Sequence, residues 1–160
     1  MAKKVIMTDL WVYDMLKEIG VQNNFSAQGS NIREIDEALA TASKKGTGNV
    51  GFPEYVGVIN DFLVVIEDKA SLNKHLNRDE NDLIAEDVKS VTDYAVNGAL
   101  FYGKHLAKNT TYKKIIAIGV SGNEKNHKIS PLFIDERGEY KELDDVETFI
   151  SFSADNINEY

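Results

Sequence analysis

The sequence predicts an α/β domain in which a mixed β-sheet is flanked by helices, and three patterns lead to this prediction. Two apolar runs rich in Val, Ile, Phe and Tyr lie on either side of Asn60-Asp61 and indicate a β-hairpin. Amphipathic segments before and after the hairpin are typical of helices, and a later continuous apolar run is typical of a buried strand. The resulting order of helix, two strands, helix and strand indicates a mixed α/β core.

Two helices are predicted before the hairpin. The first is expected to begin with Thr8 as its cap and to end at Gly20, and the polar segment 22–29 is then expected to be a loop. Ser30 can cap the second helix, which carries one apolar stripe made of Ile32, Ile35, Leu39 and Ala42. The glycine-rich segment 44–51 is predicted to be a loop in which the backbone can approach a phosphate closely.

Four elements are predicted after the hairpin. Residues 70–81 form a polar connector, and one long helix is expected from about residue 83 to residue 107. The apolar run Ile115–Val120 predicts a buried strand. Segments 128–134 and 140–143 are expected to pair as a second hairpin, because a charged turn that contains glycine separates them.

The register of the first hairpin determines which side chains meet. A two-residue loop at Asn60-Asp61 pairs Ile59 with Phe62, and counting outward places Glu54 opposite Glu67. Side chains directly opposite each other on neighbouring strands lie ~5 Å apart, so two carboxylates are expected to converge at this end of the sheet.

Lys69 follows Glu67 by two residues and therefore shares its face of the strand. Like charges placed opposite each other destabilise a sheet unless a positive charge lies between them, and a divalent cation is the obvious candidate. An isolated Glu-x-Lys is more often a solvated strand end, but these strands are apolar on both faces, as in a buried sheet, which favours a functional site. Carboxylates, Mg²⁺ and a lysine suit phosphodiester hydrolysis. Acyl transfer is disfavoured, because the chain has no cysteine and none of its three histidines lies in a triad-like context.

These residues resemble a known motif. Pro53-Glu54 followed by Glu67-Asp68-Lys69 is similar to the motif of the PD-(D/E)xK nuclease superfamily. Flanking segments extend the resemblance, over about residues 30–135, to the N-terminal nuclease domain of type IIG and type I-like restriction-modification enzymes. The segments that carry it are Ala42 to Gly51, Lys74-His75, Asp93 to Leu100 and Ile116 to Gly122.

The resemblance implies a restriction-endonuclease-like fold, a mixed β-sheet flanked by helices, and a Mg²⁺-dependent endonuclease that cuts the P–O3′ bond of DNA. Glu54 and Glu67 would bind Mg²⁺, for which Mn²⁺ can substitute, together with the backbone carbonyl of Asp68. Lys69 would be the catalytic lysine, so the expected catalytic set is Glu54, Glu67 and Lys69.

Further residues enter through the same resemblance. A helical acid is expected to assist the site, and both Glu34 and Glu37 are candidates. The short additional strand of the family has its only possible place at Asn49 to Gly51. Six residues are expected to contact double-stranded DNA: Ser43, Lys44, Lys74, His75, Tyr94 and Asn97.

Length and composition are compatible with this interpretation. A chain of 160 residues is enough for one domain with a core and hardly for two. The net charge of −8 comes mostly from residues 135–160, which contain nine acidic and two basic residues and carry −7. Residues 1–134 therefore carry −1. No apolar run approaches the length of a membrane span, no signal-peptide core is present, and there is no cysteine, so a cytoplasmic protein is expected.

A complete restriction-modification polypeptide would also include an adenine methyltransferase, whose catalytic motif needs adjacent prolines. This chain has only Pro53 and Pro131. The expectation is therefore a single nuclease domain over residues 1–160, as a fragment of a longer polypeptide whose methyltransferase and target-recognition domains lie elsewhere. Two alternatives remain open: a non-catalytic interaction module that docks through its acidic tail, and a junction nuclease that acts on branched DNA.

Overall fold

A computed structural model describes residues 2–27, 32–42 and 52–160 of the chain, with side chains from residue 7 onward. In these residues a six-stranded sheet has its strands in chain order. Only β3 and β4 are parallel, and every other neighbouring pair is antiparallel. The strands are β1 (Phe25–Ala27), β2 (Tyr55–Ile59), β3 (Phe62–Lys69), β4 (Lys114–Gly122), β5 (His127–Asp135) and β6 (Tyr140–Glu142).

Helices cover both faces of this sheet. They are α1 (Ala2–Glu18), α2 (Arg33–Leu39), α3 (Val88–Asp93) and α4 (Ala95–Asn109). One apolar core joins α2 and α4 to one face of the sheet, and a second joins α1 and the C-terminal segment to the other face. This mixed α/β architecture confirms the predicted fold class and is consistent with a restriction-endonuclease-like fold.

The first hairpin has the predicted register. Ile59 pairs with Phe62 across a two-residue turn, and the ladder continues to the pair of Tyr55 and Ile66. Asn60 occupies the left-handed backbone region, with φ of 53°, which asparagine tolerates better than most residues. The buried strand predicted at Ile115–Val120 is confirmed as β4, and the hairpin predicted for segments 128–134 and 140–143 is confirmed as β5 and β6.

The prediction of one long helix over residues 83–107 is wrong. The chain instead forms α3 and α4, and Tyr94 between them is extended, with φ of −115° and ψ of 139°. Asp87 caps α3 by accepting a hydrogen bond from the Ser90 amide at 3.2 Å. The amide of Val96, at the start of α4, donates to the carbonyl of His75 at 2.8 Å instead of to a preceding turn of helix. Long-range hydrogen bonding therefore breaks a segment whose apolar periodicity runs straight through.

The first predicted helix begins earlier than expected. Its start is Ala2, and Thr8 lies inside it, where the buried hydroxyl donates to the carbonyl of Gly122 at 3.0 Å. The helix ends as predicted, with Gly20 at φ of 74°. For the second helix, Ser30 lies outside the described residues, and Ile32 is the N-cap of α2.

The loop predicted over residues 22–29 is also corrected in its described part. A 3₁₀ turn at Gln22–Asn24 leads into β1, which pairs with β2 along the edge of the sheet. This strand supplies the short additional strand of the expected fold. The place predicted for it, Asn49 to Gly51, lies outside the described residues.

The C-terminal acidic segment packs onto the sheet. It contains two short 3₁₀ helices, Ile150–Phe152 and Ile157–Glu159. The side chains of Phe149, Phe152 and Ile157 are fully buried in the core on the α1 side. In the described part of the chain, every helix is too short or too polar to cross a bilayer.

Candidate functional site

Glu54 and Glu67 meet at one end of the sheet, as the hairpin register predicts. Glu54 lies just before β2, and its backbone amide donates to Oε1 of Glu67 at 3.0 Å. Glu67 is only 4% exposed, although glutamate is seldom buried so completely. Beside it in β4 lies Gly119, whose hydrogen faces the backbone of Val96 at the start of α4. A small residue there lets the helix approach the carboxylates closely.

Lys69 lies on the same face as Glu67 and is half-buried. Its Nζ donates to the backbone carbonyl of Thr92 in α3 at 2.9 Å. An ammonium has three donors, and this bond uses one of them while fixing the side chain over the end of the sheet. The register places Ser121 of β4 next to Lys69. Glu67 and Lys69 are thus brought to the side of the sheet that carries α3 and α4.

The pKa of Tyr102 in α4 is affected by the charges on this side of the sheet. Burial raises the pKa of its phenol, and the negative charges of Glu67 and Glu54 raise this pKa further. Both carboxylates therefore act on the same buried side chain. This agrees with the placement of Glu67 on the α4 side and with a position of Glu54 near the strand end.

Asp68 points the other way, because side chains alternate along a strand. It is 3% exposed, and neither carboxylate oxygen has a hydrogen-bond partner in the described part of the chain. Burial is the largest cause that raises the pKa of this carboxyl well above its usual range. The nearby Asp9 carboxyl and the charges of Glu54 and Glu67 raise it further.

Asp9 of α1 is a site residue that the sequence reasoning missed. One carboxylate oxygen from each of Asp9, Glu54 and Asp68 lies within 4.8 Å of the others, which is a spacing that could hold a metal ion. No spacing rule connects Asp9 with residues 45 and 59 positions away along the chain. A pattern of apolar residues predicts the helix, but it does not predict which strand end an acid on that helix will face.

Tyr55 lies beside this acidic group. Its hydroxyl donates to the backbone carbonyl of Asp9 at 3.0 Å and so ties α1 to β2. Burial, followed by the charges of Asp9, Asp68 and Glu54, raises the pKa of the phenol to about 12. Negative charge therefore converges at the α1 side of the strand end as well.

The two proposed helical acids have other partners. Glu34 accepts hydrogen bonds from the amide and the hydroxyl of Thr111, beyond the end of α4. Glu37 forms an exposed ion pair with Arg33 at 2.8 Å on the same helix. The structure thus gives both carboxylates contacts away from Glu54 and Glu67.

Two of the expected DNA contacts lie together on the surface. Lys74 is exposed, and its Nζ lies 5.3 Å from the centre of the Tyr94 ring. Tyr94 is half-buried at the break between α3 and α4. Ser43 and Lys44 lie outside the described residues.

His75 is instead buried, with 5% of its surface exposed. Its Nε2 lies 2.7 Å from the hydroxyl of Ser130, which donates to Asp145, and its Nδ1 lies 2.7 Å from the hydroxyl of Ser121. Because the Ser130 proton goes to Asp145, the network assigns the histidine proton to Nε2 and leaves Nδ1 to accept from Ser121. Burial lowers the pKa of His75 to about 4, which keeps the ring neutral. A direct phosphate contact from this ring would require these bonds to break.

Asn97 is also buried, at 1% exposure. Its Oδ1 accepts from the amide of Asn77 at 3.0 Å, and its Nδ2 donates to the carbonyls of Asn77 and Ala85 at 2.8 Å each. These three bonds occupy the amide group on both sides. In the described structure Asn97 therefore holds the connector between β3 and α3 in place and does not face solvent.

A curated relative covers the whole chain. The chain is 33% identical over 162 residues to the type II restriction enzyme and methyltransferase RM.BcgI of Heyndrickxia coagulans, and the alignment covers 100% of the chain and 25% of that protein. No protein-family model matches the chain, and no solved structure matches it significantly. The chain thus spans about a quarter of the length of this relative, and the similarity relates it to one part of a restriction enzyme and methyltransferase.

Proposed function

We propose that this chain is the nuclease module of a restriction-modification protein and hydrolyses phosphodiester bonds in double-stranded DNA with a divalent metal ion. The observation that carries this proposal is the contact between Glu54 and Glu67 at the end of the sheet, with Lys69 on the same face as Glu67. The similarity to a restriction enzyme along the full chain supports the same activity.

The donor groups at the strand end fit a hard cation. Glu54 and Glu67, with the backbone carbonyl of Asp68, are the proposed ligands, and oxygen ligands of this kind suit Mg²⁺ or Mn²⁺. A Mg²⁺ ion bound there supplies Lewis acidity at a phosphoryl oxygen and a lowered pKa for bound water. The burial of Glu67 gives these carboxylates a low-dielectric setting in which their charge favours a cation.

Lys69 is the proposed positioning group for the water that attacks phosphorus. The bond from its Nζ to Thr92 holds the ammonium in place and leaves two N–H donors for water and for the negative charge that grows on the phosphoryl oxygens. Water adds its oxygen to phosphorus and loses a proton to solvent, the P–O3′ bond breaks with its electron pair going to O3′, and O3′ takes up a proton. The products are a 5′-phosphate and a 3′-hydroxyl.

Surface contacts with DNA are proposed at two places. Lys74 next to Tyr94 offers a cation and an aromatic edge near the start of α4. Ser43 and Lys44 remain proposed contacts through the resemblance. His75 and Asn97 are proposed to act indirectly, since their hydrogen bonds hold the segment that follows Lys74 in place.

The partners follow from the name of the relative. The relative is named as both a restriction enzyme and a methyltransferase, and the chain aligns with a quarter of that protein. We therefore propose that methyltransferase and target-recognition domains accompany this module and supply most of the DNA affinity.

Plasmid cleavage tests the proposal. At low ionic strength and high protein concentration, the chain should nick or linearise plasmid DNA with Mg²⁺ or Mn²⁺ and should do so in no measurable amount with EDTA. Glu67→Ala should abolish cleavage, while Glu136→Ala, an exposed acid in the β5–β6 turn, should not. DNA ligase should rejoin the products, because it requires a 5′-phosphate and a 3′-hydroxyl. Cleavage that survives in Glu67→Ala, or no metal-dependent cleavage at all, would contradict the proposal, and cleavage of branched DNA alone would indicate a junction nuclease.

A further inference from the structure

A cavity of about 370 Å³ lies over β5, beside the proposed catalytic end of the sheet. Its β5 side chains are Lys128, Ser130 and Leu132, which share the face of the sheet that carries α3 and α4. The register aligns Ser130 with Gly119 of β4, and Gly119 with Glu67 of β3. The cavity therefore lies two strand spacings, or ~10 Å, from Glu67. Its volume is within the range of roughly 300–1,000 Å³ that is usual for small-ligand sites.

The walls of this cavity are mostly apolar. Leu72 and Leu76 come from the connector after β3, Pro131 comes from β5, and Leu143 follows β6. Leu72 is exposed and Leu76 and Leu143 are half-buried, so the fold leaves apolar surface uncovered here. A flat, weakly polar group placed between these side chains would remove that surface from water, which is favourable. The walls thus suit an aromatic ring.

The floor of the cavity is a polar network with one unused acceptor. His75 is 5% exposed, and its Nε2 donates to Ser130, whose hydroxyl donates to Oδ1 of Asp145 at 2.7 Å. The other oxygen of Asp145, Oδ2, takes part in no hydrogen bond with the described residues. Because Ser130 has already given its only proton, the donor for Oδ2 must come from water or from a ligand. Amino groups on base edges, such as N6 of adenine and N4 of cytosine, are donors of this kind.

Lys128 supplies a positive charge at the rim. It is exposed, and its ammonium has no ion pair or hydrogen bond with the described part of the chain. Burial is the main cause that lowers the pKa of His75, and the charges of Asp145 and Lys128 act on the same ring in opposite directions. Arg78 and Glu142 also line the cavity, but two hydrogen bonds of 2.9 and 2.7 Å already pair their charges. A ligand that complements this cavity therefore has an anionic group at one end and an N–H donor at the other.

We infer that this cavity binds one nucleotide whose base carries an exocyclic amino group. The base lies between the apolar walls and donates to Oδ2 of Asp145, and the phosphate binds the ammonium of Lys128. The reverse orientation would place the phosphate against a carboxylate, which is repulsive. The ligand is a free nucleoside monophosphate or an unpaired nucleotide of the DNA strand at Glu67, and only this second source rests on the proposed function. A base inside a duplex cannot enter, because it is stacked and paired.

Calorimetric titration with 2′-deoxyadenosine 5′-monophosphate (dAMP) tests the inference without any need for cleavage. The wild-type chain should bind one dAMP. The analogue that lacks only the 6-amino group, and deoxyadenosine, which lacks the phosphate, should each bind about tenfold more weakly, since each loses a hydrogen bond to a charged group. Inorganic phosphate alone should not reproduce the affinity of dAMP.

Variants assign the individual contacts. Lys128→Ala should lower the affinity for dAMP about tenfold and leave the affinity for deoxyadenosine unchanged. Lys113→Ala, an exposed lysine near the opposite end of the sheet, should bind dAMP like wild type. Asp145→Ala should remove the preference for dAMP over the analogue without the amino group. Leu143→Trp should fill the cavity and abolish binding, and circular dichroism verifies that each variant folds.

Oligonucleotides distinguish the two sources of the nucleotide. In Ca²⁺, a duplex with a short single-stranded adenine overhang should bind more tightly than the blunt duplex, and dAMP should compete for the difference. Equal affinity of the two duplexes would assign the cavity to free nucleotides. No dAMP binding at millimolar concentration, or dAMP binding that is unchanged in Lys128→Ala and Leu143→Trp, would overturn the inference. Glu67→Ala should still bind dAMP while it cleaves no DNA, so a failure of the proposed function and a failure of this inference are distinguishable.

Discussion

Single residues at the end of β3 show how alternation along a strand divides one tripeptide between two environments. Glu67 and Lys69 face α3 and α4, where Lys69 is bonded to Thr92. Asp68 between them faces Asp9 of α1. The middle residue of this tripeptide therefore places a buried carboxyl among other acids, on the face opposite Glu67 and Lys69.

The energetic cost of burying the Asp68 carboxyl leads to a prediction about the free energy of unfolding. Its pKa is raised by folding, so its contribution to stability is fully present below the ordinary pKa of an aspartate and is lost as the pH rises toward the raised value. Asp68→Asn should therefore increase the free energy of unfolding in EDTA at pH 8, by about 1–3 kcal/mol, since the amide can donate to Asp9 and carries no charge. Urea denaturation measures the change, and Asp61→Asn in the exposed hairpin turn is the control. A lower stability of Asp68→Asn without metal would contradict this account of Asp68.

His75 leads to a second prediction, on the dependence of stability on pH. Its pKa is lowered by folding to about 4, so its stabilising contribution is present above the ordinary pKa of histidine and is lost as the pH falls from about 6.5 toward 4. The loss across that window is on the order of 3 kcal/mol for a shift of this size. His75→Gln removes the titrating group, so the difference in stability between pH 7 and pH 4.5 should be smaller in this variant. Equal differences, measured by urea denaturation at the two pH values, would mean that His75 is not held neutral by the network.

At the scale of elements, the approach of α4 to β4 depends on Gly119. A Cβ at this position would lie 2.7 Å from both the backbone N and the Cα of Val96, so a helix would have to move. A Cβ at Gly103 would meet Cδ1 of Ile134 at 2.3 Å, but that atom is the end of a flexible side chain.

Gly119→Ala and Gly103→Ala therefore form a matched pair of variants. The first should lower the free energy of unfolding by about 3 kcal/mol through backbone displacement. The second should lower it by about 1 kcal/mol or less, because the side chain can rotate and alanine favours the helix. Urea denaturation compares the two variants, and equal losses would show that α4 does not depend on a close approach at Gly119.

The helices and strands also show which structural features local sequence patterns can predict. The hairpin register could be predicted because Asn60-Asp61 leaves only one pairing of the flanking apolar residues. The break at Tyr94 could not, because the bonds of Asn97 and His75 that accompany it connect segments about 20 residues apart. Strand β1 was missed because three residues in a polar segment carry too little pattern, and pairing with β2 creates the strand.

The part of the candidate site that lies on the first hairpin could be predicted from the sequence, and the part that distant elements contribute could not. Glu54, Glu67 and Lys69 lie on one hairpin, so local register determines their arrangement. Asp9 and the buried network of His75 depend on how helices and distant strands pack, and no spacing in the sequence encodes these contacts. Local pattern therefore predicts the arrangement of Glu54, Glu67 and Lys69, and it does not predict that Asp9 of α1 lies close to Glu54.

For the whole molecule, the distribution of charge is the main constraint on function. Residues 135–160 carry −7 of the net −8. This acidic segment is part of the fold, because Phe149, Phe152 and Ile157 are buried in one of the two cores. The acidic charge is therefore fixed on the surface of the domain. We expect weak DNA binding by the isolated chain that decreases steeply with salt concentration, because affinity depends on the number of phosphate contacts.

The single-turnover cleavage rate of Lys69→Ala tests whether the residues at the strand end hydrolyse DNA. The assay uses saturating protein, low ionic strength and Mg²⁺, with DNA affinity measured separately in Ca²⁺. We expect a rate at least about 100-fold below wild type with unchanged DNA affinity, since loss of a positioned donor typically has an effect of this size. Lys113→Ala, an exposed lysine near the opposite end of the sheet, should cleave like wild type. Cleavage by Lys69→Ala at the wild-type rate, or no cleavage by the wild-type chain when DNA binding is saturated, would show that these residues do not hydrolyse DNA as proposed.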